Sequence, residues 1–268
     1  MAEPAAIGID IGGTKIAVGA VFGDGRLEHL TQMSTVGTSL EGVAAAAARI
    51  AEQVDAVGVG VGICELVDDE GRIQSTTSVS WTEAELAAAL GRVTIDADVR
   101  AAAIAEARFG AGRTFSSFLY LTVGTGISHC LVLDGEPYRG AHGHAQLSGS
   151  AAVSFVCPHC GERVRLSVED VASGAALASG AAAEDAATTL GSLIALLVNV
   201  LDPEAVVVGG GLGTAGGGYW DALVSATREH VWAERVRALP IQQAGLGAHS
   251  GVIGAGWIGL RQLTTREG

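Results

Sequence analysis

One arrangement occurs twice in this sequence and constrains the fold more than any other feature: an apolar strand, a glycine turn, a second apolar strand and an Asp-Gly turn. Its first copy covers residues 6–26, with turns at Gly12-Gly13 and Asp24-Gly25. The second copy covers residues 118–136. Because Asp-Gly between alternating apolar residues is a strong hairpin signal, both copies are predicted to form antiparallel meanders.

A helical pattern and a buried strand follow each meander, as in an α/β unit. Two such units predict an α/β protein with two lobes around a cleft and the ligand at the strand ends. We expect a small lobe over residues 1–97, completed by a C-terminal helix over 252–268, and a large lobe over 98–251. Helices are predicted over 38–53, 82–91, 98–109, 168–179, 184–201, 219–236 and 251–263, and further strands over 56–61 and 205–208.

The composition argues against some functions. With 29 acidic and 16 basic residues, the formal net charge is −13, which repels nucleic acid but allows a small anionic ligand with local donors. We expect no membrane partner and a cytoplasmic location, because the apolar stretch 193–201 is short and the N-terminus does not resemble a signal peptide. Four cysteines indicate no disulfide framework, and Cys64 and Cys130 are predicted to be core residues.

The first glycine turn has the composition of a phosphate-binding loop. In Asp10-Ile-Gly12-Gly13-Thr14-Lys15, the glycines permit close backbone approach and the Thr14 hydroxyl adds a donor. The Asp10 carboxylate can hold hydrated Mg²⁺ against a polyphosphate. An ordinary hairpin with Asp10 as a turn acceptor explains the same residues. The matching turn Gly124-Thr125-Gly126 favours phosphate binding.

A dinucleotide-binding motif offers an alternative to the phosphate-loop hypothesis. Gly211-Leu-Gly-Thr-Ala-Gly216 fits the pattern G-x-G-x-x-G and follows the strand predicted at 205–208. Gly217 and Gly218 come next, so we expect no helix N-terminus where a pyrophosphate needs one. The sequence contains no P-loop of the Walker A kind.

Short motifs follow one another between residue 7 and about residue 260. They are Asp10-Ile-Gly-Gly-Thr-Lys15, Asp98-Val-Arg-Ala-Ala-Ala103, Thr122-Val-Gly-Thr-Gly-Ile127, Gly140-Ala-His-Gly143, Ala172-Ser-Gly174 and the segment 202–211. Each motif is unspecific, but their order and spacing together resemble the signatures of the ROK family of sugar kinases, which includes glucokinase-like enzymes.

The resemblance implies an actin-like ATPase fold of the ribonuclease H-like class, with ATP between two lobes and a sugar in the cleft. It assigns the phosphates to the loops at Asp10 and at Gly124 to Gly126, and the adenosine to Gly209-Gly210-Gly211. Asp98 matches the catalytic base that accepts the proton of the sugar hydroxyl. At a helix start the dipole favours the ionised carboxylate, although an N-cap is an alternative role for Asp98.

Sugar-binding positions of the family are changed in this sequence. Ala97 replaces an asparagine before the catalytic aspartate, Cys64-Glu65 replaces Pro-Gly, and Leu147 replaces a sugar-binding glutamate. A ring hydroxyl left unpaired costs roughly 1–3 kcal/mol, so plain glucose is not the expected substrate. We expect an amino sugar or a sugar-like cyclitol, contacted by Glu65, His144 and Gln146.

The zinc site that the resemblance implies is incomplete. Family members hold Zn²⁺ with one histidine and three cysteines, whereas this sequence keeps Cys157-Pro-His159-Cys160 and has Ser150 in place of the histidine. A tetrahedral site would need His142, His144 or His159 as a further ligand. A rearranged zinc site and a relic hairpin both remain open.

Two further residues have family counterparts. Glu169 aligns with a glutamate that helps to hold sugar, and a solvated helix residue is its other interpretation. His142 keeps its family position, where a loop hydrogen bond and a ligand contact explain it equally well.

The leading hypothesis is an ATP- and Mg²⁺-dependent kinase that phosphorylates a hydroxyl of a monosaccharide, amino sugar or sugar-like cyclitol, with Asp98 as base and Asp10 as metal organiser. The alternatives are a catalytically impaired, sugar-binding regulatory protein of the same family and a dinucleotide-binding oxidoreductase. Family resemblance also suggests a homodimer.

Overall fold

Each predicted meander begins a five-stranded sheet in the computed structural model, which describes residues 3–264. The first sheet consists of β1 (Ala5–Ile11), β2 (Lys15–Phe22), β3 (Leu27–Ser34), β4 (Ala56–Ile63) and β5 (Val93–Ala97), in the order β3-β2-β1-β4-β5. Further along are β6 (Ser117–Val123), β7 (Ile127–Leu133), β8 (Glu136–Pro137), a hairpin of β9 (Val153–Val156) and β10 (Arg163–Leu166), then β11 (Ala205–Gly209) and β12 (Ile241–Gln243). All but the hairpin form the second sheet, in the corresponding order β8-β7-β6-β11-β12. The repeated arrangement in the sequence is therefore a repeat of topology.

The meander is complete in the first sheet and shortened in the second. β1, β2 and β3 pair antiparallel, as do β6 and β7. β8 has two residues, and Pro137 has no N–H with which to extend the ladder. In each sheet two later strands run parallel to the first strand of the meander, so that several strands end at one edge.

Helices cover the sheets and confirm most of the predicted pattern. Thr82 and Glu85 form the predicted capping box of the second helix, which ends at Gly91. The helices are α1 (Leu40–Ala51), α2 (Glu83–Leu90), α3 (Asp98–Phe109), α4 (Glu169–Ala172), α5 (Gly174–Ala178), α6 (Ala183–Leu201), α7 (Gly210–Gly213), α8 (Gly217–His230) and α9 (Ser250–Thr264).

Two predicted helices are wrong in extent. The helix predicted over 168–179 is broken into α4 and α5 at Ser173, whose hydroxyl caps α5. The helix predicted over 219–236 begins at Gly217 and ends at His230. The Asn199 side chain donates to the His230 carbonyl and accepts from the Trp232 N–H. These two hydrogen bonds hold the chain in a turn after α8.

The last helix, α9, lies on the first sheet at very short range. A Cβ atom at Gly60 would lie 1.8 Å from the Ala255 carbonyl oxygen, and one at Gly8 would lie 2.2 Å from that of Val252. Glycine at both positions therefore permits helix and strand backbones to touch. Residues 265–268 of the predicted C-terminal helix lie outside the described residues, and the lobe boundary between residues 97 and 98 stays a prediction.

In the described part of the chain, α6 is the one helix long and apolar enough to cross a membrane by length and composition. Its buried side chains, Leu190, Ile194 and Val198 among them, belong to the core beside the second sheet. Core helices meet the same two criteria, so length and composition assign no membrane role to α6.

Candidate active site

A cleft of about 1050 Å³ lies where the two sheets end. From the first sheet it receives Asp10 at the end of β1, Cys64-Glu65 after β4 and Asp98 after β5. The turn between β6 and β7 and the glycines after β11 line it from the second sheet. The ends of parallel strands are the usual ligand position in open α/β sheets, so this cleft is the candidate active site.

The two glycine turns meet across this cleft, as the phosphate-loop hypothesis requires. Thr14 Oγ1 lies 3.4 Å from Thr125 Oγ1. The Gly12 N–H donates to the Lys15 carbonyl and the Gly124 N–H to the Gly126 carbonyl, both at 2.9 Å. Those two amides close the turns and are not free for a phosphate.

Four other N–H groups of these turns remain for an anion. Within residues 3–264, the N–H groups of Gly13, Thr14, Thr125 and Gly126 donate to no other group. A Cβ atom at Gly126 would lie 2.2 Å from Glu169 Oε1, so a side chain there would displace the Glu169 carboxylate. The two turns thus bring free backbone donors to the same cleft, an arrangement that suits a polyphosphate.

The glycines after β11 have different roles. Cβ atoms would lie 2.3 Å from the Tyr120 hydroxyl oxygen at Gly209 and 2.4 Å from the Val123 carbonyl oxygen at Gly210, whereas Gly211 faces open space. Gly210 and Gly211 line the cleft, and the buried Gly209 supports them.

The dinucleotide motif at residues 211–216 does not form the turn that such a motif needs. Its first two glycines lie inside α7, which begins directly after β11. A helix does begin at Gly217, so the expectation that none would open there was wrong. The motif fails because its first two glycines belong to α7 and not to a loop between a strand and the following helix.

Asp98 is the first residue of α3, and the N-cap is Ala97. The Asp98 Oδ1 atom accepts a hydrogen bond from the Val99 N–H at 2.6 Å. A Cβ atom at Gly62 would lie 3.4 Å from Asp98 Cα and 3.8 Å from Asp10 Oδ1, so both aspartates flank the same glycine.

The pKa values of both aspartates are raised, but the neighbouring carboxylate contributes only at Asp98. Burial, followed by the charge of Asp10, raises the pKa of Asp98 to about 7. Burial raises the pKa of Asp10 to about 6, against the opposing charge of Lys15. Burial and the neighbouring carboxylate therefore oppose the effect of the helix dipole on Asp98. A carboxyl group with a pKa near neutrality suits a general base.

Glu65 lines the cleft, but its carboxylate is hydrogen-bonded to other groups of the protein. It accepts hydrogen bonds from the Ser75 hydroxyl and from the N–H groups of Thr77, Ser78 and Val79. Burial opposes ionisation, but these bonds outweigh it and lower the pKa of Glu65. Glu65 therefore shapes the loop 75–79, and Ser75, Thr77 and Ser78 of that loop line the cleft.

The other predicted sugar-site residues divide into two groups. Gln146 and Glu169 line the cleft, and Glu169 accepts hydrogen bonds from the Ile127 N–H and the Ser150 hydroxyl, both at 2.7 Å. His142 is exposed and His144 is half-buried, and neither lines the cleft. As candidate sugar contacts these histidines are not brought to the site.

The residues near Cys157 and Cys160 do not fit a tetrahedral zinc site. Both cysteines lie at the turn of the β9–β10 hairpin, where hydrogen bonds from the Cys160 N–H, the His159 N–H and the Cys160 thiol lower the pKa of Cys157. Among residues 3–264, no group of three histidine, cysteine or acidic side chains is placed to hold a metal. Since zinc needs four ligands, the retained pair does not make a structural site.

Two residues have positions or contacts that the sequence did not reveal. Cys64, predicted to lie in the core, lines the cleft, whereas Cys130 is buried as predicted. Arg100 is fully buried and bonded to Asp96, two backbone carbonyls and Gln146. One signal was available for Arg100, namely a charged residue in the otherwise apolar run 99–105.

Comparisons with known proteins agree with this fold. The model of the ROK family matches residues 6–184 and 179–262. An N-acetylgalactosamine kinase from Shewanella sp. (strain ANA-3) is 30% identical, over 94% of this chain and 96% of that protein. A glucokinase from Halalkalibacterium halodurans is 28% identical, over 97% and 96% of the two chains. The crystal structure of a ROK family glucokinase from Streptomyces griseus with glucose and AMPPNP superposes with a TM-score of 0.85 at 26% identity, over 96% of this chain and 99% of that one.

Proposed function

Because the chain belongs to the ROK family and has its two-lobed, actin-like fold, we propose that it transfers the terminal phosphoryl group of ATP to a hydroxyl of a monosaccharide, an amino sugar or a sugar-like cyclitol. One observation carries the proposal: Asp98 lines the same cleft as the two glycine turns, which hold unused N–H donors. Phosphoryl transfer depends on positioning and charge stabilisation, and these residues supply both.

The chain's own residues divide the chemistry between them. The N–H groups of Gly13, Thr14, Thr125 and Gly126 bind phosphate oxygens. Mg²⁺, when bound through water at Asp10, neutralises phosphate charge. Asp98 orients the attacking hydroxyl group and accepts its proton, which a carboxyl group with a pKa of about 7 holds and releases near neutral pH.

The test is a screen for ADP formation over hexoses, amino sugars and cyclitols, with the phosphorylated position read by NMR. We expect turnover with at least one class, and we expect Asp98→Asn to lower kcat by about 100-fold or more. Asp221→Asn, on the exposed surface of α8, is the matched control and should keep full activity. Near-normal transfer by Asp98→Asn would remove Asp98 from the mechanism, and sugar binding without turnover would favour the regulatory alternative.

The remaining features of the proposal have separate sources: the homodimer and the Mg²⁺ requirement come from family resemblance, the cytoplasmic location from the sequence, and the lack of structural zinc from the donors near Cys157 and Cys160. We propose a homodimer that acts in the cytoplasm and needs Mg²⁺ and no structural zinc. Size-exclusion chromatography with light scattering tests the dimer, and turnover after removal of divalent cations tests the metal requirement.

A further inference from the structure

Gln146 is a buried amide at the wall of the cleft, with 5% of its surface exposed. Its side-chain oxygen, Oε1, accepts a hydrogen bond from Arg100 Nη1 at 3.0 Å. A guanidinium group has donors and no acceptor, so the amide cannot turn its nitrogen toward Arg100. The interaction with Arg100 therefore fixes the direction of the Gln146 amide.

Arg100 is itself held rigidly. Its Nε donates to Asp96 Oδ1 at 2.6 Å, Nη2 to the Val67 carbonyl at 2.7 Å and Nη1 to the Gly143 carbonyl at 2.5 Å. These partners come from β5, from the loop after β4 and from the loop that carries Gln146. With its donors engaged on several sides, Arg100 cannot follow Gln146 if the amide rotates.

The amide nitrogen of Gln146 is left as an unused donor. Among the side chains and backbone groups that the structure describes, Nε2 donates to none, and Gln146 borders the cleft. The next residue, Leu147, also lines the cleft and has 42% of its surface exposed. Gln146 and Leu147 thus offer a hydrogen-bond donor beside an apolar surface.

We infer that Gln146, oriented by Arg100, is a specificity-determining residue and that the substrate is an N-acylated amino sugar. The inference rests on the proposed kinase function. The acyl carbonyl oxygen accepts the Gln146 Nε2–H hydrogen bond, and the acyl methyl group packs on Leu147. Arg100 is a positioning residue, because it acts on the substrate through the Gln146 amide.

Donor chemistry separates the competing substrates. The ammonium group of a free amino sugar only donates, and it would face Nε2 and the nearby guanidinium group, so it is rejected. A ring hydroxyl can accept from Nε2, but it leaves Leu147 against a polar group. An acyl group both accepts and covers apolar surface, so it is the substituent that satisfies both residues.

The experiment compares kcat/KM for hexose, 2-amino-2-deoxyhexose and N-acetylhexosamine in the gluco, galacto and manno series. We expect one N-acetylhexosamine to exceed both of its counterparts by about 10-fold or more. Gln146→Glu keeps the shape and the partner of Arg100 but loses the donor, and it should lower this preference by about 10- to 100-fold. Gln53→Glu makes the same change on the exposed surface after α1 and should preserve the preference.

Different results would overturn the proposed kinase function and the inferred N-acyl specificity. Turnover that favours the hexose or the free amino sugar overturns the inference and leaves the kinase intact. Turnover with none of these sugars counts against the kinase, and calorimetric binding of the same nine sugars then decides the inference. Preferential binding of an N-acetylhexosamine that Gln146→Glu abolishes supports it, and equal binding overturns it.

The role of Arg100 is tested with Arg100→Lys in both backgrounds. We expect this substitution to lower the N-acyl preference in the wild-type background and to leave it unchanged when Gln146→Glu is already present. A purely structural Arg100 would lower kcat/KM for all sugars alike, with no change in their ratio. If Arg100→Lys does not fold, Gln146→Glu alone decides the inference.

Discussion

Glu106 provides the most direct test of how the fold supports the cleft. Its carboxylate lies on α3, is fully buried, and accepts hydrogen bonds from four donors. Oε2 accepts from the N–H groups of Ala111 at 2.8 Å and Gly245 at 2.9 Å. Oε1 accepts from the Leu246 N–H at 3.0 Å and the Ser250 hydroxyl at 2.8 Å. Glu106 thus joins the helix of Asp98 to the loop 245–250, parts of which line the cleft.

The perturbation is Glu106→Gln, which replaces one acceptor oxygen with a donor NH₂ group. In the least damaging orientation the new NH₂ group replaces Oε1 and faces Ser250 and Leu246. The Ser250 hydroxyl can rotate and accept a hydrogen bond from it, whereas the Leu246 N–H can only donate. One buried N–H is then left without an acceptor, at a cost of about 1–3 kcal/mol. The charge-assisted bonds also become ordinary ones, so we expect a loss of about 2–4 kcal/mol in the free energy of unfolding.

Urea unfolding followed by tryptophan fluorescence and circular dichroism measures this loss. Glu52→Gln, at the exposed end of α1, is the matched control and should change the free energy of unfolding by less than about 0.5 kcal/mol. The KM for ATP should rise in Glu106→Gln, because the loop 245–250 loses its anchor. If Glu106→Gln unfolds with the same midpoint and slope as the wild type, the reasoning that this carboxylate is a structural acceptor is refuted.

Two other predictions concern protonation and metal content. Asp98 has to be ionised to act as a base, and burial together with the charge of Asp10 raises its pKa to about 7. We therefore expect kcat to fall as pH decreases through about 7 and to level off above pH 8. A flat pH–rate profile between pH 5.5 and 8.5 would contradict this assignment. The hairpin with Cys157 and Cys160 lacks further metal ligands among residues 3–264. Elemental analysis should therefore find no stoichiometric zinc, and chelators should leave the Tm unchanged. One zinc ion per chain would contradict the donor count.

Local signals account for the parts of the fold that could be predicted from the sequence. The Asp24-Gly25 and Asp134-Gly135 turns, the Thr82 capping box and the end of α3 near Gly110 depend on residues within a few positions of each other. The helix ends at Ser173 and His230 were missed. At His230 the deciding group is Asn199, which lies on another helix.

The candidate site shows the same division. Asp10, Asp98 and both glycine turns were found because short motifs carry them. Glu65 was identified as a site residue from the sequence. Its carboxylate, however, accepts hydrogen bonds from Ser75 and the N–H groups of residues 77–79, and these bonds depend on how that later loop folds back. His142 and His144 were chosen by their position in the motif, and nothing local reveals that they do not line the cleft.

By itself the sequence determined the repeated meander, the glycine turns and the placement of carboxyl groups at strand ends, because backbone conformation and hydrophobic periodicity are encoded over a few residues. Only the tertiary structure decided which donors remain free, which carboxylates are already satisfied and in which direction the pKa values of Asp10, Glu65 and Asp98 shift. These properties depend on burial and on partners that lie far away in the chain. Arg100 shows the difference, since its bonds to Val67, Gly143 and Gln146 exist only once the loops have come together.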